Sequence, residues 1–177
     1  MTGAPFEGTG VRLEACDPDT EDARACMDAY VAELVARVGG GFDPRTATSL
    51  VSGPALVPPA GVLLIARQDG KAVGSAALTF DGPDVGTIHR MWVSPSARGQ
   101  GVGRRLLVAL EQYAVTHDVG TLRLETMGRL TEALALYRSA GYVDVAPFSD
   151  EPHADRWLAK GLGGHGSPVG RGRQRHG

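Results

Sequence analysis

Two cysteines, Cys16 and Cys26, are all that the 177 residues contain, so neither a disulfide framework nor a cysteine-built metal site is available. Each reads best as a small buried hydrophobe, with a single bridge between them left open. Long apolar runs are missing as well. The longest, Val62-Leu-Leu-Ile-Ala66, falls far short of the roughly 20 residues that cross a bilayer, and the first twenty residues hold no signal-type apolar segment. The expectation is a cytoplasmic protein without membrane contact. Neither sign of charge dominates, since 18 Lys and Arg against 20 Asp and Glu leave a net charge of −2. That excludes the global positive field of a nucleic-acid binder. A hydrophobic content of 42% is enough for one ordinary domain with its own core.

Two familiar phosphate-binding signatures are also absent. No Lys-Ser or Lys-Thr pair follows the glycines of residues 99–103, which rules out a P-loop, and the position three after Gly101 is Arg104, which breaks the dinucleotide fingerprint. What is present is Val93-Ser-Pro-Ser-Ala-Arg-Gly-Gln-Gly-Val-Gly-Arg-Arg-Leu-Leu-Val108, which reads as a strand end, a glycine loop and a helix start. Gly99, Gly101 and Gly103 let backbone N–H groups approach a ligand closely. The free N–H groups and dipole of a helix beginning near residue 103 or 104 point back at the loop, where Arg98, Arg104 and Arg105 add positive charge. Together they predict a diphosphate ligand. A turn that binds nothing needs fewer glycines and no clustered arginine.

In chain order, residues 1–8 are expected to be frayed, and residues 11–15 alternate as a strand should. Asp17 is a plausible N-cap with Pro18 at the first helical position, and Ala23, Cys26, Met27, Tyr30, Val31, Leu34 and Val38 recur at helical spacing up to Gly39-Gly-Gly41. A short helix is expected around residues 45–51. Residues 61–67 and 72–80 flank Asp69-Gly70, a strong hairpin signal, and a further turn leads to a strand at 87–93. After the loop come a helix to about residue 117, a strand at 121–126, a helix at 130–140 ended by Gly141, and strands at 142–146 and 156–160. Strand, crossover helix and strand imply parallel pairing across the loop. The last seventeen residues hold seven glycines and three arginines and read as a solvated, disordered tail.

The motif Arg98-x-x-Gly101-x-Gly103 after Met91-Trp92-Val93 resembles the coenzyme A pyrophosphate loop of the GNAT superfamily of N-acetyltransferases. The resemblance runs across roughly residues 9–160 and includes Arg90-Met-Trp-Val93, Leu134-Ala-Leu-Tyr137 and Gly141-Tyr142. It implies an α/β (α+β) fold: a mixed sheet of about six to seven strands, splayed between the fourth and fifth and flanked by about four helices. It also implies acetyl-CoA as co-substrate, no metal, and a primary amine of a small molecule or protein as acceptor, with a homodimer left open. Cofactor contacts carry over to Met91, Trp92, Val93, Arg98, Gly99, Gln100, Gly101, Val102, Gly103 and Arg104. Tyr137 carries over as the acid that protonates the departing thiolate, and its alternative role is that of a core tyrosine.

The base is where the chain departs from its relatives. Thr87 stands where they often have an acid, which leaves Glu125, His89 or a water relay. Met127 replaces a common asparagine and His153 a common aromatic. Phe42, His89 and His153 are the candidate substrate contacts, and Asp43, Asp150 and Glu151 would suit a cationic amine. Two other readings stay open: a non-catalytic acyl-CoA-binding regulator of the same fold, and a nucleotide-binding domain.

Overall fold

The computed structural model describes residues 10–51 and 53–163. The expectations for residues 1–8 and for the tail from residue 164 lie outside them. Five of the predicted strands form almost where they were expected: β1 Val11–Ala15, β2 Gly61–Gln68, β3 Lys71–Phe80, β4 Val85–Val93 and β5 Thr121–Thr126. Asp69 and Gly70 close the β2–β3 hairpin with positive φ at both positions (50° and 79°), the backbone a two-residue turn between right-twisted strands requires.

Three α-helices form among the described residues, α1 Glu21–Val38, α2 Val102–Thr116 and α3 Thr131–Ser139. The segment expected to add a short helix at 45–51 makes only turns. The start of α1 also differs from the reading. Asp17 caps no helix, because its Oδ1 accepts from the N–H of Asp19 in a local turn, and Thr20 takes the N-cap by accepting from Ala23 N. The strand expected at 142–146 shrinks to β6 Val143–Asp144, with one further bond from Val145 N to Trp157 O. β7, Arg156–Gly161, runs one residue into the segment read as tail, and Leu162 N donates to Gly120 O beyond it.

The seven strands form one mixed sheet in the order β1-β2-β3-β4-β5-β7-β6. β1 to β4 are antiparallel, and β4 pairs with β5 in parallel. One core cluster joins the sheet to α2 and α3, and a second joins it to α1 through Ala23 and Cys26. Both cysteines are free, and burial raises the Cys26 thiol to about 11.

The β4–β5 pairing decides the architecture. It spans only Val85–Thr121, Gly86–Leu122 and Thr87–Arg123, after which β4 keeps β3 on one side and β5 keeps β7 on the other. At the closed end the strands are so tight that a Cβ on Gly86 would lie 2.9 Å from side-chain carbons of both Leu122 and Leu78. Beyond Thr87 the sheet opens into a wedge.

Candidate functional site

Across the open end of the wedge lies a cleft of about 430 Å³. Its walls come from four places: Tyr30, Glu33, Leu34 and Arg37 on α1; Met91, Trp92 and Val93 at the end of β4; the glycine loop with the first turn of α2; and Leu130, Glu132, Ala133 and Leu136 at α3. Nine of the ten residues predicted to touch a cofactor line it. Gln100 does not, since its side chain bonds Gln68 and the Ser96 carbonyl instead.

The loop geometry follows from its glycines. Gly99 and Gly101 take φ of 75° and 77°, and nothing stands within 4 Å of where their Cβ atoms would be, so both face open space in the cleft. Gly101 is the N-cap of α2 and offers no side chain, which leaves the first N–H groups of the helix without a side-chain cap. Such a cradle, with a helix N-terminus behind it, fits a diphosphate. Gly103 has a different reason to be glycine: a Cβ there would meet Leu136 of α3 at 3.2 Å. Arg104 donates to Ser139 Oγ at 2.6 Å at the loop's edge, but Arg105 turns away, donating to the Val11 carbonyl, and does not charge the cleft.

Arg98 is held in place by two contacts. Its Nε donates to Val93 O (3.0 Å) and its Nη2 to Glu33 (2.5 Å), and the same Glu33 carboxylate accepts from Trp92 Nε1 at 3.0 Å. Arg37 lies 3.4 Å from the other Glu33 oxygen and makes a two-pronged bond to Glu132, at 3.0 and 2.9 Å. This polar rim ties α1 to β4, the loop and α3. Nothing in the sequence announces it, because Glu33 and Arg37 look like an ordinary solvated i,i+4 pair.

β4 carries a bulge where it enters the site. Ala77 faces His89 but Ser75 faces Trp92, so one extra residue is accommodated around Arg90, which takes φ of 55°. The break in alternation explains why the strand pattern could not place Trp92. Its ring packs against the core under α1 while also lining the cleft.

Tyr137 lies one turn after Ala133 on α3 and is 5% exposed, with its ring edge-on to Tyr142 at 6.0 Å. It does not itself line the cleft. Burial, with Tyr30 beside it, keeps the phenol protonated far above neutral pH, and burial pushes Tyr30 up to about 12.

The candidates for the base separate clearly. His89 donates or accepts at Thr79 Oγ1 (2.9 Å), and burial drives its pKa down to about 4, leaving a neutral, weakly basic ring. Glu125 is half-buried on β5. Burial raises its pKa, although Ser149 Oγ donates to it and is itself held by Trp157 Nε1 at 3.1 Å. Thr87 donates to Asp81, a residue of the β3–β4 turn that the sequence reading passed over; Asp81 also accepts from Arg123 (3.1 Å) and Thr79 (3.2 Å). A carboxylate therefore does sit beside position 87, but it is fully engaged.

Of the predicted substrate residues, Phe42 and His153 pack against each other, apart from His89. Phe42 is buried, with its ring 4.8 Å from that of His153, whose Nε2 meets Thr46 Oγ1 at 2.9 Å and Asp43 O at 3.1 Å. Of the three acids expected to attract a cationic amine, Asp150 is exposed and the other two are occupied. Asp43 is held down to about pKa 2 by its hydrogen bonds from Arg45. Glu151 is 5% exposed, and although burial alone would raise it, bonds from Ser49 N, Thr48 Oγ1 and His153 N bring it below the usual range. Glu151 thereby pins the segment after α1 to the β6–β7 loop.

A mixed sheet splayed after a short parallel pairing, with a glycine cradle at the open end, defines a class, and the sequence comparison agrees: the chain belongs to the acetyltransferase (GNAT) family, whose profile matches residues 23–142. An IAA acetyltransferase of Azospirillum brasilense is 36% identical over 123 residues, covering 69% of this chain and 75% of that protein. The N-alpha-acetyltransferase RimI of Mycobacterium tuberculosis is 35% identical over 127 residues, covering 70% and 74%. In fold, the chain is similar to yncA of Salmonella typhimurium, solved with its cofactor acetyl-CoA, at a TM-score of 0.66, 17% identity, and 91% and 99% coverage. The family uses acetyl-CoA. No metal-holding cluster occurs, and no helix is long and apolar enough to cross a membrane, among the described residues.

Proposed function

We propose that the chain is an acetyl-CoA-dependent N-acetyltransferase that passes the acetyl group directly to a primary amine of a small molecule or an exposed protein amine. The observation that carries this reading is the glycine cradle of α2 opening onto the unpaired edge of β4. The cradle amides, with Arg98 and Arg104, hold the diphosphate. The unpaired β4 edge near Met91 and Val93 bonds the pantetheine arm much as an added strand would. A backbone N–H of that segment faces the thioester oxygen and stabilises the charge that develops there.

Two side chains move protons. Glu125 accepts one from the acceptor ammonium, the role that its raised pKa favours over the neutral His89. Tyr137 donates one to the sulfur as the C–S bond breaks. The acceptors of the relatives do not transfer, since one is named for IAA and another for protein α-amines. Release of free thiol from acetyl-CoA, measured across polyamines, amino acids, aminoglycosides and lysine peptides, tests the reading. Coenzyme A binding with no thiol released from any of them would favour a non-catalytic regulator.

The role of Glu125 has its own signature. Its active form is the carboxylate, so turnover should rise as pH passes its raised pKa and then level off. Glu125→Gln should remove that inflection and lower the rate about tenfold, a modest loss because water can relay the proton from a half-buried site. A rate that instead tracks the pKa of each acceptor, with Glu125→Gln unchanged, would assign deprotonation to water.

A further inference from the structure

We infer that Arg90 forms an anion subsite for the acceptor, so that the preferred amine carries a carboxylate close to the nitrogen that is acetylated. The inference rests on the reading above and adds a substrate class to it.

Arg90 is 8% exposed, and its Nε is buried with no hydrogen-bond partner. Among the described residues it makes no ion pair, although a guanidinium removed from water without a counter-charge is among the costliest arrangements a fold can hold. No carboxylate answers the burial of Arg90, and the acids of the surrounding segments are committed elsewhere. Glu33 is taken by Trp92 and Arg98, Glu125 by Ser149, Glu151 by Ser49, Thr48 and His153, and Asp81 by Thr87 and Arg123. The bulge explains the placement. By breaking the alternation it places Arg90 where Tyr30 of the cleft wall feels its charge, behind the cleft residues Met91 and Trp92, although Arg90 does not itself line the cleft. The position is also strained for a non-glycine residue, so the backbone there is held by its surroundings.

A guanidinium with a free donor edge matches a carboxylate in shape and charge. A phosphate monoester would bring about two negative charges to one cation, so the carboxylate is the better balanced anion.

Product-side titration tests this without turnover. The full chain, saturated with coenzyme A, is titrated calorimetrically with a panel of N-acetyl amino acids, their carboxamides and N-acetylphosphoethanolamine. At least one acid should bind about tenfold or more tightly than its amide, the worth of one charge-assisted contact. Arg90→Gln should erase that difference and leave coenzyme A affinity unchanged, and Arg90→Lys should restore part of it. Equal binding of acids and amides in the wild type overturns the inference, as does a preference that survives Arg90→Gln or tighter binding of the phosphate than of every acid. If Arg90→Gln does not fold, the wild-type ratio still decides. Because no acetyl transfer is needed, a failed thiol-release screen counts against the N-acetyltransferase reading alone.

Discussion

Tyr137→Phe should lower kcat about a hundredfold while the Tm and the KM for acetyl-CoA stay close to wild type, the loss typical of a positioned general acid. The substitution separates two roles that the wild-type residue combines. The ring is buried against Tyr142 and its apolar contacts survive in phenylalanine, so packing is preserved. Only the hydroxyl goes. Burial keeps that hydroxyl protonated throughout any workable pH range, so it should add no descending limb to the rate profile. The same burial makes the phenol a weak acid, and in the proposed role it would hand over its proton only as negative charge builds on the departing sulfur. Single-turnover rates at saturating acetyl-CoA are the measurement to make, since slow product release could mask the step. An unchanged single-turnover rate would leave Tyr137 as a core residue.

Gly101→Asp should abolish measurable coenzyme A binding, a loss of at least about a hundredfold, in a protein that still folds. Two costs act together. An L-residue at φ of 77° is strained, by about 1 kcal/mol, which the fold can bear. The new carboxylate would point into open cleft space where the diphosphate belongs, and two like charges at hydrogen-bonding range in a partly buried site repel by about 4 kcal/mol. Gly101→Asn is the control, sharing the backbone strain without the charge. Calorimetric titration with coenzyme A, alongside circular dichroism to confirm folding, decides the matter. Near-native affinity in folded Gly101→Asp would remove the loop from the cofactor site. Arg98→Ala should cost far less, because the backbone amides of the cradle remain.

Much of the fold was legible because its signals are local. Alternation marked β1, and Asp69-Gly70 with the turn after β3 marked β2 to β4. A crossover helix between two strands required the parallel β4–β5 pair, and the expected mixed, splayed sheet is what forms. The errors came where neighbours in space override neighbours in sequence. Asp17 lost the N-cap to Thr20 because it closes its own turn. The sequence of the 142–146 segment could support a longer strand, but only Val143 and Asp144 pair in register with β7, with one further bond from Val145.

The site divides along the same line. The glycine loop announced itself, since alternating glycines before an amphipathic helix need only the chain's own backbone preferences to form a cradle. That Gly103 serves α3 packing and Arg105 faces β1 could not be seen without the partners.

By itself, then, the sequence determined most of the elements, the antiparallel run β2 to β4, the parallel β4–β5 pair, the cradle and the inward face that holds Tyr137, all of which depend on periodicity and backbone conformation within a few residues. Only the tertiary structure decided which charges are free. It paired Asp81 and Glu151 with groups from other segments, raised Glu125, lowered His89, and left Arg90 buried without a partner at a bulge. Charge availability is a property of burial and of contacts between distant segments, and no local pattern encodes either.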